Sequence, residues 1–211
     1  MSCHAPTQSS REVRVTHFAG LILAGGEGRR WGGPKAWAEL PDGRSFLERC
    51  VGILGDAGAA PIVATLPPAT VDPQLKGLVS APLPEPGLDM FASLVAGLSR
   101  LANYPSWEVV SILPVDHPLI SAQTVIALSN TTARATIPEF KGKHGHPVCL
   151  RRSVIEQILD GRLSGPTLRE VMRSVDAVDV SVEDAGVVSN CNTPESLAEA
   201  LENLDMHFPE S

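Results

Sequence analysis

The chain has 211 residues, with 24 acidic and 17 basic residues and a formal net charge of −7. This balance argues against a nucleic acid or an acidic membrane surface as a partner, because both require a broad basic face. The sequence shows no interior linker, repeat or low-complexity tract, and we expect one domain with a sizeable core.

The first residues and the cysteines indicate where the protein works. Residues 1–12 are polar and lack the apolar core of a signal peptide, so we expect a disordered tail before a single domain over residues 13–211. No apolar run approaches membrane-spanning length. The four cysteines show neither a Cys-x-x-Cys pair nor metal-ligand spacing. These features predict a cytoplasmic protein.

A short apolar run, 18–23, leads into a segment that combines glycines with cations, and we call residues 23–35 the glycine-rich segment. A buried strand that feeds such a segment presents backbone N–H groups and fixed cations to a phosphate. Arginine offers a planar fork to phosphate oxygens, and lysine offers a compact charge that follows a phosphoryl group. We expect the nucleotide to be bound here by Leu23, Ala24, Gly25, Gly26, Gly28, Arg30 and Lys35.

The glycine-rich segment is also compatible with other structures. It could be a glycine-rich turn whose cations are merely solvated. A P-loop fits less well, because Pro34 precedes the lysine and Ala36 follows it where Ser or Thr belongs. A dinucleotide-binding fingerprint that starts at Gly26 would place Trp31 at its third glycine.

The remaining elements alternate between strand and helix patterns. Apolar and β-branched runs predict strands at 18–23, 61–66, near 77–80, and at 109–115, 135–140, 147–151 and 177–182. Cap residues predict helices that begin at the Ser45–Glu48 capping box, at Asp89, at Ser121, at the Ser153–Glu156 capping box, at Gly165-Pro166 and at Thr193-Pro194. The helix after Asp89 is expected to bury Met90 and Leu94. This order predicts an α/β fold, a three-layer sandwich with a mostly parallel sheet.

Asp116 follows the apolar strand pattern 109–115. Ligands of open α/β sheets collect beyond the carboxyl ends of strands, which makes this carboxylate a candidate Mg²⁺ ligand. The alternative is an aspartate that caps a helix in a strand-to-helix turn.

The glycine-rich segment resembles the signature of small nucleotidyltransferases that act on molybdenum cofactor, within the nucleotide-diphospho-sugar transferase-like enzymes. Their pattern runs Leu-Ala-(Ala or Gly)-Gly-x-(Ser or Gly)-x-Arg-Met-Gly-x-x-Lys. Here Arg30, Gly32 and Lys35 match its fixed positions, whereas Trp31 replaces the usual methionine. Members also carry Pro-x-Asp-x-Pro, with the aspartate on the metal, and Asp116 matches that position.

The resemblance implies roles for three further residues. His146, in a Gly-His-Pro-Val run, would contact the acceptor, although the turn at 141–146 could also be a solvated hairpin. Ser93 would contact the nucleoside, or else pack its helix against the sheet. Asn192 would bind Mg²⁺ through its amide oxygen, and the stretch also suits a helix cap.

The family implies transfer of a nucleotidyl group from an NTP to a phosphorylated acceptor such as molybdopterin, with release of pyrophosphate. Lys35, Arg30 and Asp116 with Mg²⁺ would carry the catalysis. Gly25 and Asn192 are more typical of guanylyltransferases. Pro34 and the Gly-His-Pro-Val run are more typical of cytidylyltransferases. We expect CTP to be preferred over GTP.

The sequence is compatible with one kind of protein partner and with two alternative activities. A molybdoenzyme or its chaperone is a candidate protein partner. One alternative activity is that of a sugar-1-phosphate nucleotidyltransferase. The other is that of a nucleotide-binding accessory protein without turnover.

Overall fold

The computed structural model describes residues 17–163, 165 and 167–204, which form eight strands and six α-helices. The strands are β1 (Phe18–Leu23), β2 (Ile62–Leu66), β3 (Leu78–Pro82), β4 (Val109–Pro114), β5 (Ala135–Phe140), β6 (Lys143–His144), β7 (Val148–Arg151) and β8 (Val178–Ser181). The helices are α1 (Phe46–Asp56), α2 (Met90–Leu101), α3 (Ala122–Ser129), α4 (Arg152–Leu159), α5 (Leu168–Ser174) and α6 (Pro194–Asn203). Short 3₁₀-helices occupy Arg29–Trp31, Lys35–Trp37 and Ala185–Val188.

The strands form one mixed sheet whose core is parallel. Its order is β3-β2-β1-β4-β7-β5-β6, and β8 pairs with β5. Strands β3, β2, β1 and β4 run parallel, whereas β7 is antiparallel to both of its neighbours. Leu23 at the end of β1 lies opposite Pro114 at the end of β4. The segments that follow these two strands therefore leave the sheet at the same edge.

Helices cover both faces of the sheet. Successive residues of a strand point to opposite faces, so that Ile22 packs with α1, α3 and α6 while Leu21 packs with α2, α4 and α5. All six residues of β1 are buried, as expected of a strand covered on both sides. The predicted three-layer α/β sandwich is confirmed.

Most predicted helix starts agree with the structure. Ser45 and Thr193 close capping boxes at α1 and α6, and the Asp89 and Ser121 side chains cap α2 and α3. The prediction that Gly165-Pro166 opens a helix falls partly outside the described residues, and the predicted tail over residues 1–12 lies wholly outside them. Thr167 caps α5.

The predicted capping box at Ser153 is wrong. Helix α4 already begins at Arg152, directly after β7, and its N-cap Arg151 makes no side-chain cap hydrogen bond. The Arg152 backbone N–H donates to Glu108 O at 2.8 Å, and its guanidinium lies 4.6 Å from the Trp107 ring centroid. These tertiary contacts fix the helix start earlier than the local sequence pattern suggests.

Burial of Met90 was also predicted wrongly, since the side chain is 63 % exposed. It stands at the first position of α2, before the helix packs on the sheet through Leu94 and Leu98. None of the helices in the described part of the chain combines the length and the apolar run needed to cross a bilayer.

Candidate functional site

Three polar side chains from distant parts of the chain meet beyond the carboxyl ends of β1 and β4. Lys35 Nζ lies 2.8 Å from Asp116 Oδ2, and it also donates to Asn192 Oδ1. The side chains of the Lys35–Asp116 pair are 19 % and 17 % exposed. Lys35, Asp116 and Asn192 therefore form one polar cluster that is open to solvent on one side, and we call it the Lys–Asp–Asn cluster.

Backbone hydrogen bonds at the strand ends hold Asp116 in the cluster. Val115 N donates to Leu23 O at 3.1 Å, which keeps the chain beside β1 for one residue past β4. The alternative role of Asp116 as a helix cap is excluded, because Ser121 caps the next helix.

The Asn192 side chain can join the cluster because Thr193, and not Asn192, caps helix α6. Thr193 Oγ1 accepts from Ser196 N at 3.2 Å at the start of α6. Cys191 N donates to Asp116 O at 2.8 Å, so that the segment before α6 is fastened to the turn after β4. The Asn192 amide is thereby brought next to Lys35.

The glycine-rich segment folds over the ends of the strands as two 3₁₀ turns. Gly28 has φ of 58°, and a Cβ at this position would lie 2.0 Å from Gly33 O. Only glycine fits there without rearrangement. Lys35 starts a three-residue 3₁₀-helix and not an α-helix, which agrees with the rejection of a P-loop.

The other predicted nucleotide-binding residues border this turn. Leu23 and Ala24 are buried, and Ala24 N donates to Thr65 O at 3.1 Å. Gly26 and Arg30 are exposed, and no atom lies within 4 Å of where a Cβ of Gly26 would be. The arrangement leaves the guanidinium and the space above Gly26 accessible to a ligand.

Ser93 lies on the buried side of α2 and is 7 % exposed. One turn further on, Gly97 lets the helix approach β1 so closely that an added Cβ would lie 2.5 Å from Leu21 Cδ1. This position suits the packing role, and a contact between Ser93 and a nucleoside stays a prediction.

Two imidazoles lie beside the cluster, of which that of His117 is buried and that of His146 belongs to a half-buried residue. The rings of His117 and His146 have centroids 4.8 Å apart and are tilted by 60°, and His146 N donates to Val187 O at 2.9 Å. Within the described part of the chain, the Nδ1 atoms of both rings are buried without a hydrogen-bond partner. Burial lowers the pKa of His117 and lowers that of His146 to about 3, so both rings are neutral at pH 7.

The predicted solvated hairpin is also present, immediately before this histidine. Strands β5 and β6 pair antiparallel around Lys141 and Gly142, which both have positive φ. The tip of the hairpin is exposed, whereas His146 is turned into the protein. The hairpin is therefore present, and a contact between His146 and the acceptor stays a prediction.

A cleft of about 1010 Å³ opens from the two imidazoles towards β6, α5 and β8. Its walls carry Met90 and five charged side chains, and these are Lys143, Arg169, Arg173, Asp176 and Asp179. Sequence reasoning assigned no role to His117, Arg169 or Arg173. The signal for His117 was its place between Asp116 and Pro118, directly after the candidate metal ligand.

The Lys–Asp–Asn cluster has the chemistry of a site for a hard divalent cation. The Asp116 and Asn192 oxygens converge on one ammonium, and carboxylate and amide oxygens are the protein ligands that Mg²⁺ takes. Among the residues that the structure describes, no group of three or more His, Cys, Asp or Glu side chains is arranged to hold a metal. A cation here would therefore rely on these two residues, with water and phosphate oxygens completing its shell.

Comparison with known protein families gives a match to the MobA-like NTP transferase domain over residues 20–180. A probable molybdenum cofactor guanylyltransferase of Mycobacterium tuberculosis H37Rv is 31% identical over 196 residues, covering 85% of this chain and 91% of the relative. A protein described in the same words from Mycobacterium avium is 28% identical over 194 residues, covering 85% of this chain and 93% of that relative.

Solved structures share the fold. Rv0371c from Mycobacterium tuberculosis superposes with a TM-score of 0.72 at 20% identity, covering 89% of this chain and 99% of that one. It has also been solved with manganese, and that structure matches with a TM-score of 0.66 at 21% identity over 89% of this chain and 99% of the other. The 2-C-methyl-D-erythritol 4-phosphate cytidylyltransferase of Thermus thermophilus has a TM-score of 0.65 at 20% identity, covering 90% and 100%.

These structural matches establish the nucleotide-diphospho-sugar transferase fold, and the sequence matches establish the enzyme class. The protein is a nucleotidyltransferase, which removes the alternative of an accessory protein without turnover. The family match covers well over half of the chain, and the curated relative exceeds 30% identity over most of its length. The chain therefore belongs to the MobA-like NTP transferase family, whose relatives include probable molybdenum cofactor guanylyltransferases.

Proposed function

We propose that the enzyme transfers GMP from GTP to a phosphate of a molybdopterin-type acceptor, with Mg²⁺ as its divalent cation. An oxygen of the acceptor phosphate attacks the α-phosphorus, the bond from that phosphorus to the bridging β-oxygen breaks, and pyrophosphate leaves. The observation that carries this proposal is the Lys–Asp–Asn cluster, located where the glycine-rich segment leaves the sheet.

The nucleotide would be held by its triphosphate. Gly26 and Arg30 are exposed in the glycine-rich segment, and the backbone N–H groups of residues 25–28 and the Arg30 guanidinium would bind phosphate oxygens. Lys35 would move from Asp116 and Asn192 to the α-phosphoryl group, where its charge stabilises the transition state. Asp116 and Asn192 would hold Mg²⁺, which supplies charge neutralisation at the phosphates.

The acceptor would occupy the cleft beside the imidazole pair. Lys143, Arg169 and Arg173 line that cleft together with Asp176 and Asp179, and the three cations would bind the phosphate of the acceptor. The neutral His117 and His146 rings can accept or donate single hydrogen bonds, as the planar, heteroatom-rich edge of a pterin requires. An acceptor phosphate is already ionised at pH 7, and no general base is needed.

The choice of GTP departs from the CTP preference expected from the sequence. That expectation depended on Pro34 and on the Gly-His-Pro-Val run around His146. The curated relatives from Mycobacterium tuberculosis and Mycobacterium avium are described as probable molybdenum cofactor guanylyltransferases, which favours GTP. A sugar-1-phosphate acceptor remains the second candidate.

The test is release of pyrophosphate by the full-length protein with each of the four NTPs, against molybdopterin, molybdenum cofactor and a panel of sugar 1-phosphates. We expect the specificity constant for GTP to exceed that for CTP by at least about tenfold, the discrimination that one unpaired polar edge provides. A ratio that favours CTP would overturn the base assignment. Turnover with sugar phosphates alone would overturn the acceptor assignment.

The cysteines bear on the cellular location of the enzyme. The free thiols of Cys50, Cys149 and Cys191 are buried, which supports a reducing cytoplasmic location. A molybdoenzyme or its chaperone is the macromolecule expected to receive the product.

A further inference from the structure

We propose that Trp31 is a positioning residue for the divalent cation, because its indole N–H fastens the segment that carries Asn192 to the glycine-rich segment. The inference rests on the metal site of the proposed function, and not on the identity of the nucleotide or the acceptor. The hydrogen bond joins Trp31 and Cys191, which are 160 positions apart in the chain.

The key contact is a hydrogen bond from a side chain to the backbone. Trp31 Nε1 donates to Cys191 O at 3.2 Å. Cys191 N donates in turn to Asp116 O at 2.8 Å. The peptide groups on both sides of Cys191 are thus anchored, one to the turn of the first candidate metal ligand and the other to Trp31. Asn192, the second ligand, is the next residue along the chain.

Trp31 is itself held firmly enough to act as an anchor. Its ring packs edge-to-face against Phe46 at the start of α1, with centroids 5.3 Å apart and planes at 74°. Its backbone N–H donates to Gly28 O at 2.8 Å, inside the 3₁₀ turn of the glycine-rich segment. A methionine or phenylalanine could fill much of the same apolar space, but neither has an N–H to donate.

The geometry therefore separates two contributions of Trp31. The apolar contact with Phe46 supports the fold of the glycine-rich segment. The indole N–H fixes where Asn192 lies relative to Asp116, and two ligands bind one cation well only when their separation is fixed. Loss of the N–H alone is expected to weaken metal binding while the phosphate-binding segment stays in place.

The experiment measures binding of Mn²⁺ alone to the full-length protein by the EPR signal of free Mn²⁺, without nucleotide or acceptor. We expect Trp31→Phe to raise the Mn²⁺ dissociation constant about five- to tenfold, the size of one lost hydrogen bond. Trp31→Met should act in the same way. The matched control is Trp37→Phe, a nearby tryptophan that is 40 % exposed, and it should stay within twofold of the parent.

Two further measurements distinguish positioning from general support. Affinity for GTP and CTP measured in EDTA should change less than twofold in Trp31→Phe. In an Asn192→Ala background, the same substitution should have no further effect on Mn²⁺ binding, because its target is gone. Unchanged Mn²⁺ affinity in either Trp31 variant overturns the inference, as does an equal loss in the Asn192→Ala background. Failure of the proposed reaction would leave these metal-binding results unaffected.

Discussion

At the level of single residues, the most consequential feature is that an ammonium occupies the point where two candidate metal ligands converge. Lys35 Nζ contacts both Asp116 and Asn192. A divalent cation and this ammonium cannot share that point, because like charges at contact distance repel strongly. Binding of the metal therefore requires Lys35 to move away, into solvent when the metal binds alone and, in the proposed reaction, to the phosphates of the nucleotide.

Replacement of Lys35 tests its part in turnover. We expect Lys35→Ala to lower the single-turnover rate by on the order of a hundredfold, about 3 kcal/mol, while NTP affinity falls much less because the backbone N–H groups and Arg30 remain. The matched control is Arg29→Ala, since the side chain of Arg29 is 87 % exposed and pairs locally with Glu27. An unchanged rate in Lys35→Ala would remove this lysine from the mechanism.

Replacement of Asp116 tests the metal site. Asp116→Asn keeps the shape of the side chain and the backbone contact with Cys191, but it removes the charge that a hard cation requires. We expect a folded protein that needs far more Mg²⁺ for turnover and binds Mn²⁺ weakly. Activity titrated against Mg²⁺, together with thermal melting, provides the measurement. Normal dependence on Mg²⁺ would rule out Asp116 as a ligand.

At the level of elements, sequence patterns predicted well those features that local chemistry dictates. The Ser45 capping box, the Thr193 cap and the buried first strand all follow from side chains within a few residues. The Ser153 capping box failed because Arg152 is held by backbone groups far away in the chain. A local sequence pattern cannot predict the start of a helix when tertiary contacts determine it.

The glycine-rich segment allows a matched test at this level. Gly28 has positive φ, and a Cβ at this position would lie 2.0 Å from Gly33 O. Gly28→Ala should therefore lower the melting temperature and weaken nucleotide binding by more than tenfold. Gly26 has open space around it, and Gly26→Ala should melt like the parent. Its nucleotide affinity should nevertheless fall, because the new methyl group occupies the space through which a phosphate approaches. A Gly28→Ala protein with parental stability and affinity would contradict this account.

At the level of the whole molecule, the candidate site is assembled by the sheet. The parallel register of β1 and β4 brings the segments after Leu23 and Pro114 to one edge, and the chain before α6 returns to the same place. The sequence identified Lys35, Asp116 and Asn192 one by one as site residues. It could not predict that Lys35 contacts both of the others, or that Trp31 reaches Cys191. Such contacts depend on three-dimensional packing, which no spacing along the chain encodes.

The buried imidazole of His146 links the acceptor cleft to the stability of the whole fold. Burial lowers the pKa of this histidine from 6.5 to about 3. Between these two values the unfolded chain binds a proton that the folded protein does not, so the free energy of unfolding falls as pH decreases. For one such group the loss between pH 7 and pH 5 is about 2 kcal/mol.

Replacement of His146 tests this pH dependence of stability. Asn has no titratable group, so His146→Asn should lose less stability than the parent between pH 7 and pH 5, although it can be less stable at pH 7 because a buried ring is lost. Urea unfolding at several pH values gives both free energies. The parent curve should fall more steeply by about 2 kcal/mol over this range. Parallel curves would mean that the pKa of His146 is the same in the folded and the unfolded protein, and would contradict the lowered pKa.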